Sequence, residues 1–115
     1  MFVDVIYPGG VPFDGLGGSD NVTGFINITN KIMKNYLFNN FIGGHLTRIG
    51  NTDDLKTQQE FIADLKSTSQ QLLKSISFND VAKVVGPSNP GNPWAITKSY
   101  LDTMKDQCTK QLIDK

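Results

Sequence analysis

Phe2-Val3-Asp4-Val5-Ile6-Tyr7-Pro8-Gly9-Gly10 is the stretch on which the fold turns. Residues 2–7 are β-branched or aromatic at every position but Asp4, and Pro8-Gly9-Gly10 then breaks the run, as at the end of a strand. A carboxylate inside an apolar strand is costly to bury unless it is paired or holds a cation. Asp4 therefore either faces water from an edge strand or points into a site, and spacing alone leaves both open. Residues 8–18 carry five of the 11 glycines and two prolines, a loop. Ser19 and Asp20 offer caps for a helix running to about Leu37, with Val22, Phe25, Ile26, Ile32, Met33, Tyr36 and Leu37 as one apolar stripe. Phe41-Ile42 before Gly43-Gly44-His45 reads as a very short strand, near residues 40–43.

A strand–helix–strand crossover is usually right-handed with parallel strands, so both strand ends reach one sheet edge, where functional residues of open α/β sheets gather. Residues 2–6 and 40–43 are thus expected as neighbours, with Asp4 and His45 at the same edge. His45, the single histidine, is either a hydrogen-bonded residue at a loop entrance, which local pattern favours, or a metal ligand, neutral imidazole being the commonest such ligand.

Downstream, 46–51 reads as a loop and Thr52 as the cap of a helix to residue 76. Asp53 and Asp54 sit in its favourable first turn, with Leu55, Phe61, Ile62, Leu65, Leu72, Leu73 and Ile76 as its stripe. Residues 78–85 suggest a short helix. Three prolines and two glycines in 86–93 exclude a regular element. Pro93 suits the first turn of a last helix, whose apolar positions are Trp94, Ile96, Tyr100, Leu101, Met104, Cys108, Leu112 and Ile113.

Composition excludes several classes of function. The 115 residues hold 11 basic and 11 acidic side chains, so no strong field exists for nucleic-acid binding, and Arg48 is the sole arginine. One cysteine allows neither an internal disulfide nor a thiolate-rich zinc site. Cys108 on an apolar stripe is expected to be buried and inert, and no serine has nucleophile-elbow surroundings. No apolar run approaches 18 residues, so no membrane span is expected, and Asp4 interrupts the pattern of a signal peptide. The glycine-rich 9–18 loop could cradle an anion, but a plain loop accounts for it. The same holds for a partner-binding role of 86–93, and the two glycosylation sequons, at Asn21 and Asn27, fall on a predicted helix.

Asp4 in Phe-Val-Asp-Val-Ile-Tyr-Pro-Gly and His45 in Phe-Ile-Gly-Gly-His together resemble the late Asp motif and the final Gly-His motif of the metallo-β-lactamase-fold metal-dependent hydrolases. The resemblance covers roughly residues 2–76. It implies an α/β fold related to the αββα sandwich, present as the C-terminal strand–helix–strand portion in residues 1–76. A helical extension, 77–115, would pack on it, making the whole helix-dominated. It implies that Asp4 bridges two zinc ions and that His45 binds the second, the metals activating water and polarising the scissile bond. Members of the family hydrolyse amides, thioesters, phosphoesters and lactones, so a small-molecule substrate is implied without its identity. The family's His-x-His-x-Asp-His motif and its middle histidine are absent, and Val3 stands where many members have glycine. Two ligands fall short of the three that a catalytic zinc keeps. The chain is therefore expected to be the C-terminal part of such a hydrolase, inactive alone and completed by an N-terminal half or by self-association. In that case Val3, Val5 and Tyr7, or Phe2 and Ile6, should form an apolar patch or be covered by another chain. The alternative is a stand-alone, non-catalytic helical interaction module.

Overall fold

The computed structural model describes residues 5–11, 16–44 and 48–114. Helices dominate them: α1 (Val22–Asn35), α2 (Thr52–Ser75), α3 (Phe78–Val85) and α4 (Pro93–Ile113), against two-residue strands β1 (Asn40–Phe41) and β2 (Gly50–Asn51). Two compact units, Met1–Ile62 and Ala63–Lys115, divide the chain within α2.

In the first unit α1 starts at Asn21, whose side-chain oxygen accepts from Gly24 N at 2.7 Å, while the expected cap Ser19 instead accepts from Asn21 N. The helix ends two residues before the expected Leu37. Tyr36 is already extended, and it and Leu37 are exposed. Leaving the helix there frees Phe38 and Phe41 to meet edge to face, with ring centroids 6.0 Å apart. Phe41 joins Ile6, Ile32 and Leu55 in the core, with Val5, Ile28, Met33 and Phe38 packed around them.

β1 pairs with β2 in antiparallel register, Asn40 opposite Asn51 and Phe41 opposite Gly50. The expected 46–51 loop thus ends in a strand. Most of the expected parallel partner, residues 2–6, lies outside the described residues. Its described end departs from the expectation, for Val5 lies in a turn and Ile6 and Tyr7 are irregular. The apolar-patch expectation also changes here. Ile6 is fully buried in the chain's own core and Val5 and Tyr7 are half-buried, whereas Phe2 and Val3 lie outside the described residues. Tyr7-Pro8-Gly9-Gly10 forms a reverse turn closed by Gly10 N donating to Tyr7 O at 3.0 Å, with Gly9 at φ +73°. Proline second and a left-handed glycine third are what a type II turn requires.

The second unit contains the remainder of α2 with α3, a 3-10 turn (Gly86–Ser88) and α4. The 86–93 connection is irregular apart from that turn. Asn89 Nδ2 donates to Val85 O at 3.0 Å, and Gly91 takes φ +75°. Asn92 then caps α4, its Oδ1 accepting from Ala95 N, with Pro93 in the first turn. α3 meets α4 through Phe78 and Tyr100, edge to face at 5.4 Å. Along α4, Ile96, Tyr100, Met104 and Cys108 are half-buried at four-residue spacing, and neither α3 nor α4 has a fully buried residue. Cys108, expected to be buried, is half-buried, with its sulfur 3.8 Å from Ser69 Oγ. Among the described residues no helix is long and apolar enough to cross a membrane.

Gly50 is a close-approach position, since a Cβ there would lie 2.6 Å from Phe41 Cε1 and from Pro8 Cγ. Gly50→Ala should therefore destabilise the first unit by about 1–3 kcal/mol, the usual cost of overpacking, read as a lower urea midpoint with an unchanged m-value.

Candidate functional site

Asp4 and His45, the two residues singled out by the sequence, both lie outside the described residues. The structure describes the chain from Val5 after Asp4 and from Arg48, three residues after His45. Both segments are held by the first turns of α2.

The segment after Asp4 is held by Gln58, which is buried at 5 % exposure. Its Nε2 donates to Val5 O at 2.8 Å and its Oε1 accepts from Tyr7 N at 2.9 Å. In extended chain the carbonyl of one residue and the N–H two residues on face the same side. A single primary amide therefore occupies the place of a neighbouring strand. This is the physical reason why Val5–Tyr7 need not sit in a ladder.

The segment after His45 is held by Asp54. Arg48 donates to both of its carboxylate oxygens, Nη1 to Oδ2 at 2.9 Å and Nη2 to Oδ1, and Nη1 also donates to Ile49 O. Asp54 Oδ2 in turn accepts from Asn51 N at 2.9 Å, and Asn51 Oδ1 accepts from Asp53 N and Asp54 N. This is a capping box with Asn51 in the cap position, so Asn51 replaces the expected Thr52. The hydrogen bonds from Arg48 hold the Asp54 carboxyl below the usual carboxylate range, against the opposing effect of burial and with help from the Asn51 N–H.

Asp54 and Gln58 are four residues apart and so neighbours on one helix face. Between them and the Tyr7–Gly10 turn lies a cleft of about 170 Å³, walled by Tyr7, Phe61 and Thr57 and floored by Asp54 and Gln58. A Cβ on Gly9 would be 3.7 Å from Arg48 Nη2, so the turn and the guanidinium are in contact distance. Among the described residues no three His, Cys, Asp or Glu side chains gather as metal ligands.

The sequence reading passed over Gln58 and the pairing of Asp54 with Arg48. A signal was present: position 58 continues the Leu55, Ile62, Leu65 spacing, and a polar residue on a buried stripe asks for a partner. Comparison with protein-family models, with curated proteins and with solved structures found no match to this chain.

A carboxylate with a lowered pKa stabilises the fold above its unfolded pKa, and that contribution is lost as pH falls through its folded value. Acid titration of the wild type should therefore include a loss of helix stability below about pH 4. In Asp54→Asn that component should be absent, and Asp54→Ala should cost about 0.5–2 kcal/mol at pH 7, as for other lost caps. Circular dichroism across pH checks both.

Proposed function

We propose that this chain contributes Asp4 and His45 to a dinuclear zinc centre of a metal-dependent hydrolase of the metallo-β-lactamase type, the remaining ligands coming from another segment. What supports the reading is that one face of α2 anchors Val5 and Tyr7, which follow Asp4 in sequence, through Gln58, and Arg48, three residues after His45, through Asp54. Segments separated by the whole of α1 are thereby tied to a single rigid element.

The donor chemistry fits the proposal, since one carboxylate and one imidazole are groups that zinc accepts. Of the two described carboxylates that next follow His45 in sequence, Asp53 faces Lys56 Nζ at 3.4 Å and Asp54 is engaged by Arg48 and Asn51, so neither is counted as a third ligand. Zinc would supply Lewis acidity to the reaction. The chain's own part is to hold two of the ligands on a fixed support. With two ligands, the 115-residue polypeptide alone should show no metal-dependent turnover of amides, thioesters, phosphoesters or lactones.

A single histidine makes the binding test direct, because its imidazole resonances are unambiguous. Zinc titrated into the chain should shift the His45 ring signals, and Asp4→Ala should weaken that response several-fold. Ring signals that stay in place up to millimolar zinc would exclude the metal role.

A second reading, a non-catalytic helical interaction module, draws on the complete burial of Ile6 within the chain's own core. It predicts a monodisperse monomer over a dilution series in light scattering and no response of His45 to zinc.

A further inference from the structure

A cleft whose polar floor is already engaged selects its ligand by shape and apolar contact. Under the Tyr7–Gly10 turn, the Gln58 amide is taken up by Val5 O and Tyr7 N, and Asp54 accepts from Arg48 and Asn51 N. The negative and positive groups nearest the cleft are thus paired with each other, so an ion of neither sign is favoured there. The walls are two half-buried aromatic residues, Tyr7 and Phe61. Thr57 lines the rim and is exposed. Thr97, Thr103 and Thr109 of α4 turn their hydroxyls back to the carbonyl four residues earlier. Among the described residues Thr57 Oγ1 makes no such bond, which leaves its hydroxyl for a ligand. The volume, about 170 Å³, sets the size. An apolar cavity of about 150 Å³ holds one benzene, so a single six-membered ring fits and a fused ring system does not.

We propose that this cleft binds one uncharged aromatic ring of the size of phenol, the ring against Tyr7 and Phe61 and its hydroxyl at Thr57. The site goes beyond the zinc reading and does not depend on it, since Asp4 and His45 have no part in it. Aromatic pairs gain attraction beyond the area they bury, which favours phenol over a saturated ring of the same shape by about 2–12-fold.

Phenol is titrated into the full chain and followed at the amide signals of Gly9, Gly10 and Thr57, with Leu72 of the second unit as reference. Cyclohexanol, benzoate and benzylammonium are run in parallel. The expected result is saturable shifts at the three cleft amides in the millimolar range and none at Leu72. Cyclohexanol should bind about 2–12-fold more weakly than phenol, and both ions more weakly than phenol. Phe61→Leu keeps an apolar wall without the ring, and should narrow the preference for phenol over cyclohexanol. Thr57→Val keeps the shape without the hydroxyl, and should weaken phenol several-fold. N-acetyltyrosinamide distinguishes the sources of such a ring. Affinity equal to phenol's supports the site and assigns the ring to a peptide side chain, and weaker binding than phenol's supports it with a free small molecule. Shifts that do not saturate, or that are as large at Leu72, would overturn the site. Equal affinity for cyclohexanol and phenol in wild type would overturn the aromatic selection, and unchanged phenol affinity in Thr57→Val the role of the hydroxyl. If Phe61→Leu does not fold, the wild-type comparison of phenol with cyclohexanol decides.

Discussion

The first unit depends on the satisfaction of one buried amide. Gln58 lies where the apolar stripe of α2 asks for a hydrophobe, and its side chain would be costly there without partners. Val5 O and Tyr7 N have the same difficulty, since backbone groups away from water must be paired. The amide resolves both at once. It also determines what else is possible: with Val5 and Tyr7 held to α2, Ile6 between them enters the core beside Leu55, Ile32 and Phe41.

Magnitudes separate this interaction from the ion pair one helical turn earlier. Arg48 keeps about half of its side chain exposed, and exposed pairs contribute roughly 0–1 kcal/mol. Asp54 joins the ion pair to the capping box, its oxygens accepting both from Arg48 and from Asn51 N. Removing the Gln58 amide takes that partner from two partly buried backbone groups, at up to about 1–3 kcal/mol each. Gln58 thus carries most of the anchoring, and Arg48 chiefly fixes direction. Because both anchors lie on one helix, four residues apart, the two segments they hold keep a separation set by helix geometry rather than by loops.

Elements with strong local punctuation were legible in the sequence. Pro93 after Asn92 marked the start of α4, residues 78–85 matched α3, and Asp53-Asp54 marked the beginning of α2. Misread positions were those where distant partners outweigh local pattern. Tyr36 and Leu37 continue the α1 stripe, yet Phe38 and Phe41 gain more by entering the core, and the helix stops. Residues 2–7 carry strand composition, yet the described end takes its hydrogen bonds from a side chain that lies far along the sequence. Of the candidate site, Asp4 and His45 stand on motif resemblance alone, since both lie outside the described residues. The anchors on α2 were only half legible: Gln58 interrupts the apolar stripe and Asp54 lies in the first turn, but neither position names its partner, since Val5 and Tyr7 lie more than 50 residues away from Gln58.

The β1–β2 ladder shows how little of this arrangement comes from strand pairing. Two residues a side is below what a sheet needs to stand alone. Continuing its register by one step sets Ile42 opposite Ile49, and both are exposed, so the outer face contributes little burial. The inner face differs. Phe41 lies over Gly50 so closely that no side chain fits between the ring, Pro8 and the Gly50 backbone. That contact joins the Pro8-Gly9 turn, the end of β1 and the start of β2 in one packing unit. The connection carrying His45 departs from Phe41 and returns at Gly50, two residues after Arg48. Its ends are therefore closed by core packing and by the Arg48–Asp54 clasp, with the ladder following from them.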